Sequence, residues 1–320
     1  MTSMTYGSTL VSYLLGVSEN NPLPLHYYCP ICKKVELIDK ELTPWDIKSK
    51  KCDCGGMMNA DGFNIPYETH LRLLEAPCAA LFVGNDALEI TYTIIRELLK
   101  DLSFIEEKHE SDGQKVFTIL QNSGSSKNSA HLYYENPSIL IIPKSSLYEL
   151  RLLESKSDIK YDDVKLGEIS VKGNELDFGE LDGSELADVK IKSKHDLLKL
   201  CGILHGSKVW KDNGELLVMN GALSLAQLPT FREDIFNIIE PELIKNGLDR
   251  KYAQIIMRYV RTGRFALNKA PDDIMAVLAS IKLPEWFIGF ISSVQYMLAK
   301  SHGVQLCKHA LITSYYKLNN

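Results

Sequence analysis

Four of the seven cysteines in this 320-residue chain fall between Cys29 and Cys54, in two short pairs, Cys29-Pro30-Ile31-Cys32 and Cys52-Asp53-Cys54. Nineteen residues, including Pro44 and Trp45, separate the pairs. Zinc takes four sulfur or nitrogen ligands in tetrahedral geometry, and two tight turns that each aim two sulfurs inward supply them. The first pair has the usual knuckle spacing. The second is one residue shorter, and Gly55-Gly56 after it give the backbone freedom to compensate. Four thiolates leave no open coordination position, so the expected role of Zn2+ is structural: it adds folding free energy and no chemistry. The competing reading is a set of reduced, buried thiols. His26, three residues before Cys29, is a spare ligand should the short pair fail. The N-terminus reads as lacking a basic leader before an apolar run, a context in which clustered cysteines favour metal over disulfides.

Other reactive types give weaker patterns. Cys201 and His205 stand at helical spacing beside Gly206-Ser207, but no third residue orients them, so a thiol–imidazole pair is not expected. Neither a Walker A loop nor a GxGxxG fingerprint occurs. Arg258, Arg261 and Arg264 lie at helical spacing around Gly263, as a phosphate-tracking stripe or a solvated face.

The elements that must position these residues divide the chain. Its length suggests two domains of about 150 residues. The longest apolar runs, such as Ile139 to Ile142 and Leu81 to Val83, are far short of the roughly 20 residues that span a bilayer, so no membrane partner and a cytoplasmic location are expected. Net charge is −5, unevenly spread: from Lys190 onward 18 basic residues face 11 acidic ones, net +7, and the preceding part carries −12. The C-terminal part is therefore the better candidate for a polyanion, although two lobes of opposite sign also attract each other.

Periodicity predicts a short helix over Ser8–Gly16 and another over Glu89–Leu102, with Ile90, Ile94, Ile95, Leu98, Leu99 and Leu102 as its apolar face. Gln121–Asn128 reads as a loop, and Val116–Leu120 and Ser138–Ile142 as strands within a mixed α/β region that continues to about Ile191. From Ser193 the pattern becomes helical: Asp196–Leu204, Glu233–Asn246, Arg250–Gly263, Pro271–Ile281 and Pro284–Leu318. Pro271-Asp272-Asp273 and Pro284-Glu285 are good starts, and Gly247 and Gly263 good stops.

Words along the chain carry a resemblance. Asn21 through Cys32, then Cys52-Asp53-Cys54-Gly55, then Asp61-Gly62-Phe63-Asn64-Ile65-Pro66-Tyr67-Glu68-Thr69 resemble the zinc-bearing segment within the palm region of PolC-type DNA polymerase III. Gly202 through Trp210, Arg232-Glu233-Asp234-Ile235, Pro284-Glu285-Trp286 and Tyr296 through His302 resemble the fingers of that family, in the same order. The two blocks cover half to two thirds of the chain. Asn136-Pro137 through Pro143 is a thinner match, to a palm strand. The resemblance implies an α+β fold: a mixed-sheet, nucleotidyltransferase-like palm remnant with an inserted zinc knuckle, followed by an all-helical fingers-like domain. The implied boundaries are 1–25 for a palm-derived helix segment, 26–70 for the knuckle, 71–192 for a degenerate palm and 193–320 for the fingers.

The family's chemistry is two-metal phosphoryl transfer, which needs carboxylates to hold two magnesium ions. Its Pro-Asp-Ile-Asp-Leu word corresponds here to Pro77-Cys78-Ala79-Ala80-Leu81, so Cys78 and Ala80 stand where aspartates are implied, and neither can replace an oxygen ligand for Mg2+. The third aspartate falls on Val189, or on Asp188 with a one-residue slip. The family's triphosphate loop keeps only Gly7-Ser8, which serves as a phosphate seat at a helix start or as a simple N-cap. Lys300-Ser301-His302 match words that face the nucleotide; Lys300 and His302 are residual phosphate contacts, or else a solvated lysine and a packing histidine. The expectation is thus a binding protein, with no catalytic residue, that touches single-stranded or primed DNA or a replisome protein. The alternatives are a small DNA polymerase with relocated carboxylates such as Asp86, Asp177 or Asp188, and a gene fragment without selected activity.

Overall fold

The computed structural model describes residues 2–4, 9–66, 69, 78–101, 105–109, 114–119, 138–171, 186 and 189–319. The strands are β1 (Thr2–Met4), β2 (His26–Tyr28), β3 (Val35–Leu37), β4 (Lys50–Lys51), β5 (Met57–Asp61), β6 (Cys78–Val83), β7 (Ile105–His109), β8 (Lys115–Ile119) and β9 (Ser138–Pro143). The helices are α1 (Leu10–Leu14), α2 (Leu88–Leu99), α3 (Ser145–Glu154), α4 (Lys194–Leu204), α5 (Glu215–Met219), α6 (Arg232–Lys245), α7 (Lys251–Arg261), α8 (Asp272–Ser280), α9 (Glu285–Ser293) and α10 (Lys300–Asn319). None of the described helices is long and apolar enough to cross a membrane. The chain divides into two compact units: Met1–Pro22 with His70–Lys165 and Ile312–Asn320, and Leu23–Thr69 with Leu166–Leu311.

The first unit holds a five-stranded mixed sheet of order β1-β6-β9-β8-β7. Only β6 and β9 run parallel, with Ala80 opposite Leu140; the other pairs are antiparallel. Tyr92, Ile95 and Leu99 of α2 pack with Phe117 and Ile141 of the sheet. This stripe is rotated from the expected one, since Ile90, Ile94 and Leu98 are exposed. The polar anchors explain the rotation: the Lys115 ammonium lies 3.8 Å from the Tyr92 ring centre, and Arg96 is paired with Glu107 at 2.6 Å, so a tyrosine serves as an inward residue. Helix α1 is capped by Thr9, whose hydroxyl accepts from the Ser12 amide at 3.2 Å. Gly7, Ser8, the loop over Gln121–Asn128, Asp177 and Asp188 lie outside the described residues.

The second unit combines a four-stranded antiparallel sheet, β3-β2-β5-β4, with a helical body. The helical core gathers Leu200, Ile203, Trp210, Ile235, Phe236, Ile239, Ile256, Val260, Phe287 and Ile291. Four expected helices recur as α4, α6, α7 and α8, and the glycines expected to end two of them have left-handed φ, 68° at Gly247 and 69° at Gly263. Pro271 and Pro284 occupy the N-cap positions of α8 and α9. The single helix expected over Pro284–Leu318 is two, α9 and α10, with an extended stretch between. That stretch is held open by backbone pairing: Tyr296 bridges Ser207 and Leu298 bridges Phe231. Phe231 then fills the space over Gly303 of α10, where a Cβ would stand 2.3 Å from its ring.

Candidate metal centre

Strand β2 delivers Cys29 into a tight turn. The Cys29 amide donates to the Lys34 carbonyl at 3.0 Å, the Lys33 amide donates to the Cys29 carbonyl at 2.9 Å, and Lys33 takes a left-handed φ of 63°. The second turn closes between β4 and β5, where the Cys52 amide donates to the Gly56 carbonyl at 2.8 Å and the Gly55 amide to the Cys52 carbonyl at 2.9 Å. The two glycines serve different needs. Gly55 has φ 86°, whereas a Cβ on Gly56 would sit 3.2 Å from the Cys29 sulfur and 2.9 Å from the Ile31 Cδ1, so Gly56 supplies room and not only freedom.

All four Sγ atoms lie within 4.8 Å of one another. The two short contacts cross between the turns: Cys29 to Cys54 at 3.5 Å and Cys32 to Cys52 at 3.5 Å. Zinc–sulfur bonds of about 2.3 Å at tetrahedral angles imply sulfurs about 3.8 Å apart, so this donor set fits such an ion. The cluster could hold a metal ion such as zinc. Backbone amides of Cys32 and Ile31 favour the Cys29 thiolate over the opposing effect of burial and bring that thiol to about 6. The Cys54 amide also favours a thiolate at Cys52, but burial and the adjacent thiols outweigh it and hold Cys52 up at about 12. Lys34 clamps the two turns by pairing with Asp53 at 2.8 Å and Glu36 at 2.9 Å. His26 is not among the four donors; its Nδ1 is 2.7 Å from the Pro24 carbonyl oxygen.

The knuckle is fastened to the helical body of its own unit. Asp46 closes a turn of 3-10 helix over Pro44–Asp46, accepting from the Thr43 amide at 3.0 Å and its hydroxyl at 2.7 Å. The same carboxylate accepts from the backbone amides of Lys194 at 2.6 Å and His195 at 3.0 Å, the open N–H groups at the start of α4. Sequence reasoning missed this second cap, because its partners lie about 150 residues further along the chain.

The remaining candidate residues are dispersed. On β6, Cys78 and Ala80 are in backbone register with Ser138 and Leu140. Asp86, just beyond that strand, is paired with Arg151 at 2.7 Å. Val189 is half-buried against the helical core. Arg258 and Arg264 are exposed and Arg261 half-buried; the Arg264 guanidinium lies 4.9 Å from the Tyr259 ring centre. Lys300 is buried and not the solvated lysine of the alternative reading; its amide donates to Glu233 at 2.8 Å. Burial pushes its ammonium below the usual lysine range, opposed by Asp234. Burial alone would raise Asp234, yet Lys199, 2.8 Å away, and Lys300 bring it to about 2. Burial and the same two lysines lower His195 to about 4. The rings of His302 and His205 meet edge-on at 6.1 Å.

No protein-family model matches the chain. It is similar to the PolC-type DNA polymerases III of Thermotoga petrophila (24% identical), Ureaplasma parvum (25%) and Lactococcus lactis (24%), in each case over 98% of this chain. The chain spans 29, 28 and 25% of the length of those proteins. The match with the first runs over 405 aligned positions against 320 residues here, so that relative carries extra residues inside the matched span. The chain is thus a distant, partial relative of PolC-type DNA polymerase III.

Proposed function

We propose that this chain is a catalytically degenerate, partial relative of the PolC-type polymerase that binds DNA or a replisome protein without extending a primer. In this reading the first unit's sheet is the palm remnant, residues 193–320 form the fingers-like domain, and Cys29, Cys32, Cys52 and Cys54 hold a structural zinc. The observation that carries it is β6, where the implied aspartate positions are Cys78 and Ala80. A thiol and a methyl group offer no oxygen to magnesium. Asp86 is engaged by Arg151, which argues against its service as a relocated ligand, and Val189 offers no donor atom. The DNA-contact role falls on the exposed Arg258 and Arg264, with Arg261 beside them. A phosphate role for Lys300, His302, Gly7 and Ser8 belongs to the same proposal, although Lys300 first needs its ammonium uncovered.

Primer extension on a primed template, with Mg2+ or Mn2+, tests the first part, and no nucleotide incorporation is expected. Binding to primed or single-stranded DNA should weaken steeply with salt, and Arg258→Ala or Arg264→Ala should each reduce the log–log salt slope by about 1. Extension abolished by Asp177→Ala or Asp188→Ala would reinstate a polymerase. Failure to bind any DNA or replication protein would remove the proposal.

A further inference from the structure

The four cysteines of the knuckle differ in their surroundings. Cys29 and Cys52 are buried, with Met58 and Tyr27 packed against them, whereas Cys32 and Cys54 are exposed. Each turn thus carries one covered and one solvent-facing cysteine. The runs Cys32-Lys33-Lys34 and Lys50-Lys51-Cys52 also set four lysines beside the cluster, against the carboxylates of Glu36 and Asp53. Partial exposure in an electropositive setting is where cysteine sulfur reacts; burial among apolar groups makes it inert. Cys201 and Cys307, 1 and 0% exposed, are in the second condition.

The two short sulfur contacts, Cys29 to Cys54 and Cys32 to Cys52, cross between the turns, and each joins a buried cysteine to an exposed one. Pairing within the turns is a poorer arrangement. A disulfide from Cys52 to Cys54 would span the single residue Asp53, and the near-perpendicular torsion of a disulfide is strained in so small a ring. Were Cys29 and Cys32 to pair with each other, Cys52 and Cys54 would be left with that bond alone. Pairing across the turns avoids it.

We propose that the knuckle is a peroxide-reactive site, entered at Cys32 and Cys54, in which oxidation exchanges the zinc for two disulfides that cross between the turns. The proposal rests on the zinc reading given above and adds a reaction to it. The O–O bond of hydrogen peroxide breaks as one oxygen bonds to the Cys54 sulfur, which releases hydroxide and leaves a sulfenic acid. The Cys29 thiolate beside it attacks that sulfur, forms the S–S bond and expels a second hydroxide. Cys32 and Cys52 react in the same way. Four thiolates give up four electrons to two peroxides, solvent protons turn the four hydroxides into water, and no thiolate remains to hold the ion. The oxidised knuckle keeps its turns joined, by covalent bonds in place of the metal. The grip of Asp46 on the Lys194 and His195 amides therefore survives oxidation, although it is lost when the metal is simply stripped.

The test uses the full chain, purified reduced, with its zinc content measured before hydrogen peroxide is added. A chromogenic zinc chelator should report about one zinc released per chain for about two peroxides consumed, against a control without peroxide. Dimedone, which traps sulfenic acids, should label Cys32 or Cys54 first. Peptide mass mapping at completion should find Cys29 joined to Cys54 and Cys32 to Cys52, with Cys201 and Cys307 still thiols. A dithiol reductant with added Zn2+ should restore the starting chain. Amide exchange at Lys194 and His195 should stay slow in the oxidised chain. First labelling at Cys29 or Cys52, any other pairing of the four, or earlier oxidation of Cys201 and Cys307 would overturn the proposal. So would fast exchange at those two amides after oxidation. A reduced chain without zinc would remove the zinc reading, and this exchange with it. One zinc per chain that about a hundredfold excess of peroxide fails to release would overturn the exchange alone and leave the zinc reading standing.

Discussion

At the knuckle, four sulfurs from two turns converge within 4.8 Å; on β6 of the five-stranded sheet, positions 78 and 80 carry a cysteine and an alanine, and the carboxylate beyond them is tied to an arginine. In the reading proposed above, both regions began as parts of one polymerase, and they have fared differently for a physical reason. A structural ion contributes to folding directly, so losing one ligand removes stability from everything packed on it. Catalytic carboxylates crowd like charges together and gain nothing in the folded state until metal and substrate arrive, so their replacement by Cys78 and Ala80 leaves a sheet free to fold. The difference teaches that a fold keeps what holds it up more readily than what it once did.

The largest test strikes the knuckle. Stripping metal with a strong chelator, or Cys29→Ser, should unfold the second unit's small sheet. Structural zinc is worth about 10–16 kcal/mol in isolated knuckle peptides, and part of that should reach the helical body through Asp46. One zinc per chain is expected by elemental analysis, with a large fall in melting temperature on its removal. A chain that melts identically with and without chelator would erase the contrast between the two regions.

The second test uses acid. His195 is buried and held at about 4 against its ordinary 6.5 by burial, Lys199 and Lys300. Above pH 6.5 it is neutral in both states and adds no pH dependence. As pH falls from 6.5 toward 4, the unfolded chain accepts a proton that the folded chain refuses, and stability drains by up to about 3 kcal/mol. Asp234 behaves in the same direction in a lower window, losing its contribution as pH falls from about 4 toward 2. Urea midpoints at pH 7 and pH 5 should therefore differ, and His195→Gln should shrink the difference; an unchanged difference would mean that other groups govern it.

The convergence of the four cysteines was legible because they sit within 26 residues and tight turns are local. Helix starts at Pro271 and Pro284, and stops at Gly247 and Gly263, were legible for the same reason. What the pattern hid was set by distant partners. The break between α9 and α10 exists because Tyr296 and Leu298 pair with Ser207 and Phe231, and periodicity alone runs straight through it. Helix α2 turns its tyrosine inward because Lys115 on a neighbouring strand covers the ring. Lys300 reads as a surface residue, yet Glu233, Asp234 and Lys199 create a charged interior that receives it.

Asp46 sharpens the comparison at smaller scale. Asp46→Ala removes the acceptor for two amides of α4 and for both groups of Thr43, and a lost helix cap costs about 1–2 kcal/mol. The wild type should show faster amide exchange at Lys194 and His195 when zinc is removed, and Asp46→Ala should show that fast exchange with zinc still bound. If zinc removal leaves those amides protected in the wild type, the knuckle and the helical body are merely adjacent.

The smallest effect belongs to the sheet. Arg151→Ala deletes the partner of Asp86, but Arg151 is 61% exposed and the pair is screened by water. Exposed pairs of this kind contribute about 0–1 kcal/mol, so the melting temperature should move by a degree or two and zinc content not at all. The informative readout is magnesium: should freeing Asp86 produce metal-dependent primer extension, the arginine is restraining a usable ligand, and the sheet is closer to catalysis than its sequence allows. With Cys78 and Ala80 still in place, one released carboxylate cannot hold two cations, and no extension is expected.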